Sequence, residues 1–307
     1  MDSMRDRFVA VVNEVMDADP SVALVLADIG VGRFADVGTR RRHPDRVINV
    51  GIREQAMVGV AAGLALAGMR PVVHTYAPFL VQRPFEQLKL DLGHQDLGAV
   101  LVSVGASHDS AASGRTHHAP GDVAALTTLP GWEIHVPGHP DEVETVLRHA
   151  LAGSGRVYIR LTEDGNAEPH LPTEIGRLQP VRKGTRGRPT ILAVGPVLDA
   201  VLDATAGADV TVAYAITPRP LDGTTLREVV TGTDVVVVEP YLTGTSAAAI
   251  TAALHDRPIR LRSIGITETE LRRYGTPEEH RRAHGLDATG IRRALRDLLA
   301  ECPCRAV

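Results

Sequence analysis

The amino-acid sequence predicts an α/β protein of two doubly wound domains, the first with a mainly parallel sheet, the second smaller. Three observations carry that expectation. Short apolar runs of strand length alternate with segments of helical periodicity along the chain. Several runs, such as Val22 to Ala27, Ala99 to Val104 and Val235 to Val238, are continuous rather than alternating. Strands buried on both faces of a parallel sheet require that. The alternation breaks once, in a stretch holding Pro169, Pro172, Pro180, Gly184 and Gly187, and then restarts. The first domain is therefore placed at residues 1–168, a linker at 169–188 and the second domain at 189–307. A chain of 307 residues has room for both cores.

The elements follow in order. Phe8, Val9, Val12, Val15 and Met16 recur at helical spacing over 6–16. A strand at 22–27 ends in the glycine-rich turn Asp28-Ile29-Gly30-Val31-Gly32. A strand at 47–50 crosses Gly51 into a helix that opens at Glu54 and stops at Gly68, with Pro71 beyond. Strands are expected at 71–76, 99–104, 133–136 and 157–161, and helices at 85–92, 122–129 and 141–151. In the second domain, strands at 190–195, 210–214, 234–239 and 259–264 alternate with helices at 197–205, 225–230, 246–254 and 288–299.

Composition excludes several classes. A net charge of −4 leaves no footprint for nucleic acid. No apolar run reaches membrane-spanning length, and the first residues carry no signal-peptide core, so a cytoplasmic location without membrane attachment is expected. The two cysteines, Cys302 and Cys304, form Cys-Pro-Cys, which fits neither a zinc knuckle nor a Cys-x-x-Cys redox pair. With aromatics at 3%, the cores must be aliphatic.

The chemistry centres on Asn49-Val50-Gly51-Ile52-Arg53-Glu54-Gln55-Ala56-Met57-Val58-Gly59 and the small-residue helix after it. A carboxylate in a first helical turn is commonplace, because the macrodipole favours it. The wording around Glu54, however, resembles the pyrimidine-binding domain of the thiamine-diphosphate-dependent transketolase superfamily. The resemblance implies that Glu54 bonds the cofactor's aminopyrimidine and starts catalysis, with Ile52 beside it. An apolar setting that raises the Glu54 pKa would suit that role. Thr75 to Gln87 matches the family's paired aromatics. Tyr76 and Phe79 would stack on the ring, with Gln82 next to them. Tyr76 and Phe79 are equally compatible with core packing.

A polar loop after the 99–104 strand holds Ser107-His108-Asp109-Ser110 and Gly114-Arg115-Thr116-His117-His118. Such a carboxyl-end loop is where open α/β sheets bind ligands. By the resemblance, His117 is catalytic, near the substrate hydroxyl. His108, Arg5 and Arg160 bind a sugar phosphate, to which guanidinium forks are suited. His118, His135 and His139 are expected to be solvent-exposed bystanders. His135 and His139 have a helical metal spacing, but Pro137 and Gly138 preclude a helix there, and no metal ligands are assigned to the chain. Gly32, Ser113 and Glu239-Pro240-Tyr241 depart from the family pattern, which points to a specialised substrate such as an amino- or deoxy-sugar phosphate.

The family holds the cofactor's diphosphate and Mg²⁺ with Gly-Asp-Gly followed by Asn-Asn, and neither element is present. The resemblance covers the second and third of the family's three domains. It implies a C-terminal subunit of a split transketolase, active only with an N-terminal subunit carrying the missing motif, as a homodimer within a heterotetramer. The implied reaction moves a two-carbon ketol unit between sugar phosphates. Open alternatives are the β subunit of a 2-oxo-acid decarboxylating or acyloin-forming enzyme, a deoxyxylulose-phosphate-synthase-like enzyme, and a non-catalytic regulatory subunit.

Overall fold

Six of the apolar runs pair into one all-parallel sheet. They are β1 (Val22–Leu26), β2 (Val47–Asn49), β3 (Arg70–Tyr76), β4 (Ala99–Val104), β5 (Trp132–His135) and β6 (Arg156–Arg160), in the order β2-β1-β3-β4-β6-β5. The computed structural model describes residues 3–269, 272 and 274–300, so Cys302 and Cys304 lie outside the described residues. β1 and β4 are buried along their whole length, which explains their continuous apolar sequence.

Side chains leave each strand alternately toward two cores. Leu24 and Leu26 face the helices Met4–Ala18 and Pro140–Ala152, whose Phe8, Val12, Val143 and Leu147 are buried. Val25 and Ala27 face the helix Glu54–Leu66, whose Met57, Val58 and Ala61 are buried. The chain steps outward from β1 to β2 and then returns to β3 on the other side. The carboxyl ends of β1 and β3 thus flank the switch point where open α/β sheets take ligands.

The expected 85–92 helix takes a different form. Residues Pro78–Gln82 and Leu88–His94 wind as wide π-helical turns around a short α-turn at Phe85–Gln87. Pro84 has no N–H to give, and Arg83 N–H reaches five residues back to the Pro78 carbonyl at 3.2 Å.

The second domain is a five-stranded sheet ordered β11-β10-β8-β9-β7, made of β7 (Gln179–Arg182), β8 (Thr190–Val194), β9 (Thr211–Ala215), β10 (Asp234–Leu242) and β11 (Arg260–Ile266). β7 corrects the expected linker. The end of the 169–188 stretch pairs antiparallel with β9, at the sheet edge where Pro180 is tolerated, with a register shift between Pro180 and Arg182. The helix Pro277–Ala283, which the apolar periodicity did not signal, is capped by Thr276 and Glu279. The helix Ala288–Ala300 closes the domain as expected.

The domains are joined by main-chain hydrogen bonds. Ile134 and Val136 donate to the Arg219 and Ile216 carbonyls at 2.8 and 2.7 Å, and Leu242 donates to Pro120 at 2.7 Å. Arg219 donates to the Leu126 and Leu129 carbonyls, each at 2.8 Å. Among the described residues, no helix is long and apolar enough to cross a membrane.

Glu239, buried on β10, accepts the Gly244 and Ser246 N–H groups at 2.6 and 3.0 Å. Burial still lifts its carboxyl from 4.5 to about 7. Between these values the folded state keeps a proton that the unfolded chain has lost, so this group's contribution to stability falls as pH rises through that window. Glu239→Gln should therefore gain in melting temperature relative to wild type from about pH 4.5 to about pH 7 and level off above. Melting curves that stay parallel across the window would contradict this.

Candidate active site

β3 delivers Tyr76 half-buried at its carboxyl end. Gly105, at φ +66° just after β4, lies under the ring. A Cβ there would come within 2.2 Å of the Tyr76 ring, so only glycine lets the tyrosine lie flat. The π-helical turn then buries Phe79. His117 arrives from the short turn Arg115–His117 that follows β4. The three rings meet edge to face, with centroids 6.0 Å apart for Tyr76–Phe79, 5.6 Å for Tyr76–His117 and 5.0 Å for Phe79–His117. Thr116 holds the His117 Nδ1 at 3.0 Å.

Glu54 opens its helix with the carboxylate almost sealed off, at 4% side-chain exposure. Asn49 fixes the approach. Its Oδ1 accepts from Asp28 N–H and Gly51 N–H at 2.9 and 3.2 Å, and its Nδ2 donates to Asp28 at 2.9 Å. The expected apolar surroundings of Glu54 are not what the structure provides. Arg83 Nη1 donates to Glu54 Oε1 at 2.8 Å, and the same guanidinium lies 3.7 Å over the Phe79 ring. A flat nitrogenous cation is thus stacked on the aromatic wall and bonded to the buried carboxylate. A flat heterocycle offering N–H to Glu54 would make the same two contacts. The Arg83 side chain is 42% exposed, whereas that of Glu54 is not.

A cleft of about 660 Å³ opens beside this wall, lined by Gln82, His108, Arg115, His118, Tyr274 and His280 among others. Gly114, at φ +74°, lets the Tyr274 ring close on it from the second domain. Burial, then the neighbouring imidazoles of His280, His118 and His284, push the His108 pKa down to about 3. His108 is therefore neutral near pH 7, a hydrogen-bonding group rather than a cation. Arg5 is half-buried, with burial and then Arg33 lowering its pKa. Ile52 stands 71% exposed two residues before Glu54.

Arg160 does not join these residues. Its side chain is fully buried, with Nε 2.8 Å from Asp122 Oδ2 and Nη2 2.5 Å from Ser107 Oγ. Tyr158 donates to the same Asp122 oxygen at 2.7 Å. The expected phosphate contact is corrected to a structural ion pair, because a guanidinium sealed from the cleft presents no face to a ligand. His118 and His135 are likewise buried rather than exposed, and His135 Nδ1 pairs with Thr217 at 2.9 Å. His139 caps the Pro140–Ala152 helix by accepting Asp141 N–H at 3.2 Å.

Residues the sequence reading missed are Arg83, Asp122, His280 and His284. A signal for the two histidines was present: Thr276-Pro277-Glu278-Glu279 reads as a capping box, followed by His280 and His284 four apart.

Comparisons with known proteins show the family. The family model for the transketolase pyrimidine binding domain matches residues 2–166. The chain belongs to the transketolase family. An uncharacterized 33.6 kDa protein in the fasciation locus of Rhodococcoides fascians is 49% identical over 288 residues, 92% of this chain and 91% of that protein. A subunit of the apulose-4-phosphate transketolase of Actinobacillus succinogenes is 32% identical over 304 residues, 94% of each. The 1-deoxy-D-xylulose-5-phosphate synthase of Magnetococcus marinus is 36% identical over 275 residues, 84% of this chain but 43% of that protein. In structure, a split gene transketolase solved as an inactive beta4 tetramer aligns at a TM-score of 0.83, with 24% identity, 97% of this chain and 98% of that chain.

The Arg160–Asp122 pair sits beside the cleft, joined through Ser107 to the loop that carries His108. Asp122→Ala leaves a buried guanidinium unpaired and should cost about 3–5 kcal/mol. Chemical denaturation reads this directly. A variant as stable as wild type would show that the pair carries no structural weight.

Proposed function

We propose that this chain is the pyrimidine-binding subunit of a split, thiamine-diphosphate-dependent transketolase that moves a two-carbon ketol unit between sugar phosphates. The observation that carries the reading is the slot between Glu54 and Phe79, where Arg83 makes the contacts an aminopyrimidine would make. Thiamine diphosphate, when bound, supplies a thiazolium carbon that accepts and releases the ketol fragment.

The residues of this chain have separable tasks. Glu54 bonds the pyrimidine ring nitrogen and holds a proton there. Phe79 and Tyr76 provide the stacking face, with Gln82 and Ile52 at its margins. His117, packed on both aromatics, exchanges a proton at a substrate hydroxyl. Arg5 and neutral His108 hold the polar end of the substrate, and Arg160 positions the loop between them through Ser107. Arg83 must leave before the cofactor enters, and its exposure permits that.

The diphosphate and Mg²⁺ are assigned to a separate chain with Gly-Asp-Gly and Asn-Asn. The end-to-end match to a single subunit of another transketolase supports this division. The outer side of the Glu54–Leu66 helix exposes Leu66 at 66%, with Ile52 just before it at 71%, and nothing lies within 4 Å of a Cβ built at Gly63. The open space over Gly63 and the exposed Leu66 at the end of this helix suit a homodimer contact within a heterotetramer. A deoxyxylulose-phosphate-synthase-like reaction is the second reading, favoured by the 36% identity to such a synthase. It predicts CO₂ release from a 2-oxo acid, which ketol transfer does not.

Two experiments test the reading. Reconstituted with a Gly-Asp-Gly subunit, Glu54→Gln should keep its partner but lose about 100-fold or more in ketol transfer. Near-normal turnover would sink the assignment and favour a non-catalytic subunit. Separately, Arg83→Gln should bind thiamine more tightly than wild type in a calorimetric titration of the isolated chain, because the competing guanidinium is gone. Equal affinities would mean that Arg83 does not occupy the pyrimidine slot.

A further inference from the structure

The cleft is not made by the first domain alone. Thr267, Tyr274 and His280 of the second domain line it beside Gln82 and His108 of the first. The tasks proposed above use none of the second-domain groups. Tyr274 is set apart by its exposure. It is 67% exposed, whereas the other tyrosines of the chain are buried or half-buried. A lone exposed aromatic residue is ordinary on a protein surface. This one lines a ligand-sized cavity and is fixed there from both sides.

From its own side, the buried His280 donates from Nε2 to the Tyr274 carbonyl at 2.9 Å. Gly275 follows at φ +100°, where a Cβ would lie 2.4 Å from Glu279 Oε2. Thr276 and Glu279 then bond reciprocally, Thr276 N–H to Glu279 Oε2 at 2.9 Å and Glu279 N–H to Thr276 Oγ1 at 3.2 Å. From the first domain, Gly114 receives the ring, and a Cβ there would come within 2.6 Å of it. Gly114 directly precedes the Arg115–His117 turn. Two glycines, a capping box and a buried histidine thus hold one exposed ring against the loop that carries His117. Ordering a side chain costs entropy, and an exposed ring recovers little of it by burial. What it gains is a lower cost of binding something else.

We propose that Tyr274 is a substrate-contacting residue, by which the second domain selects a sugar phosphate long enough to reach it from the aromatic wall. Its ring packs on the C–H face of that sugar. A sugar carries hydroxyls at its edges and C–H groups on its faces, and a phenol matches both with an apolar ring and a polar tip. The size of the cleft agrees, since about 660 Å³ is far more than a two-carbon fragment fills. The inference rests on the ketol-transfer reading for the class of substrate. It adds that substrate length is read by the second domain, so a short aldehyde passes without touching Tyr274.

Fluorotyrosine labelling of the full chain tests this, because each tyrosine then gives its own fluorine NMR resonance. Tyr274→Phe and Tyr76→Phe identify the two resonances that matter. Ribose 5-phosphate should shift the Tyr274 resonance, whereas thiamine should shift that of Tyr76 and leave Tyr274 alone. A Tyr76 resonance unmoved by thiamine would count against the cofactor reading only. A Tyr274 resonance unmoved by saturating ribose 5-phosphate would overturn the present proposal. In the enzyme reconstituted with its Gly-Asp-Gly subunit, Tyr274→Ala should raise the KM for ribose 5-phosphate by about tenfold and that for glycolaldehyde by less than about twofold. Tyr274→Phe keeps the ring and should restore the KM for ribose 5-phosphate. Losses confined to kcat and equal for both acceptors would mean that the ring only supports the His117 loop, and the proposal would fall.

Discussion

The arrangement of the cleft rests on one buried ion pair. Arg160 and Asp122 are both fully enclosed, and taking two charges out of water is costly unless their remaining hydrogen-bonding capacity is met. Tyr158 meets part of it on the carboxylate side and Ser107 on the guanidinium side. Ser107 in turn donates to the Pro240 carbonyl on β10. A single guanidinium therefore ties together the end of β6, the 122–127 helix, the histidine-bearing loop after β4 and the second domain. Those are the walls of the cleft. The pair adds little net stability over an apolar equivalent, but it fixes where the loop can go.

On the other side of the loop, part of the same chain fills the space between the aromatic wall and Glu54. Arg83 stacks on Phe79 and pairs with Glu54, which relieves the cost of an otherwise isolated buried carboxylate. A site that holds its own substitute remains folded and satisfied until a competing ligand arrives. That is compatible with the proposed reading, in which another chain completes the cofactor site.

The fold, and the meeting of Tyr76 and Phe79 near Glu54, were legible in the sequence because both rest on local patterns. Buried parallel strands announce themselves as unbroken runs, and the Glu54 helix, Tyr76 and Phe79 sit at fixed short spacings from strand ends. The second domain's edge strand was less legible. β7 contains Pro180 and sits at a margin, so its sequence reads as loop. Arg83 was passed over because its role arises only when the π-helical turn brings it across Phe79.

What the sequence alone determined is the chain's alternation of strands and helices and its family. These depend on interactions between residues close in sequence, which a linear pattern records. Only the tertiary structure decided the rest. Arg160 turned inward to Asp122, 38 positions away, instead of outward to a ligand. His118 was buried rather than exposed, and His280 and His284 were brought from the second domain to His108 in the first. An arginine or histidine has the same sequence signature whether it faces water, an ion or another ring. Its partner is set by which distant elements the sheet order places beside it, and no local spacing encodes that.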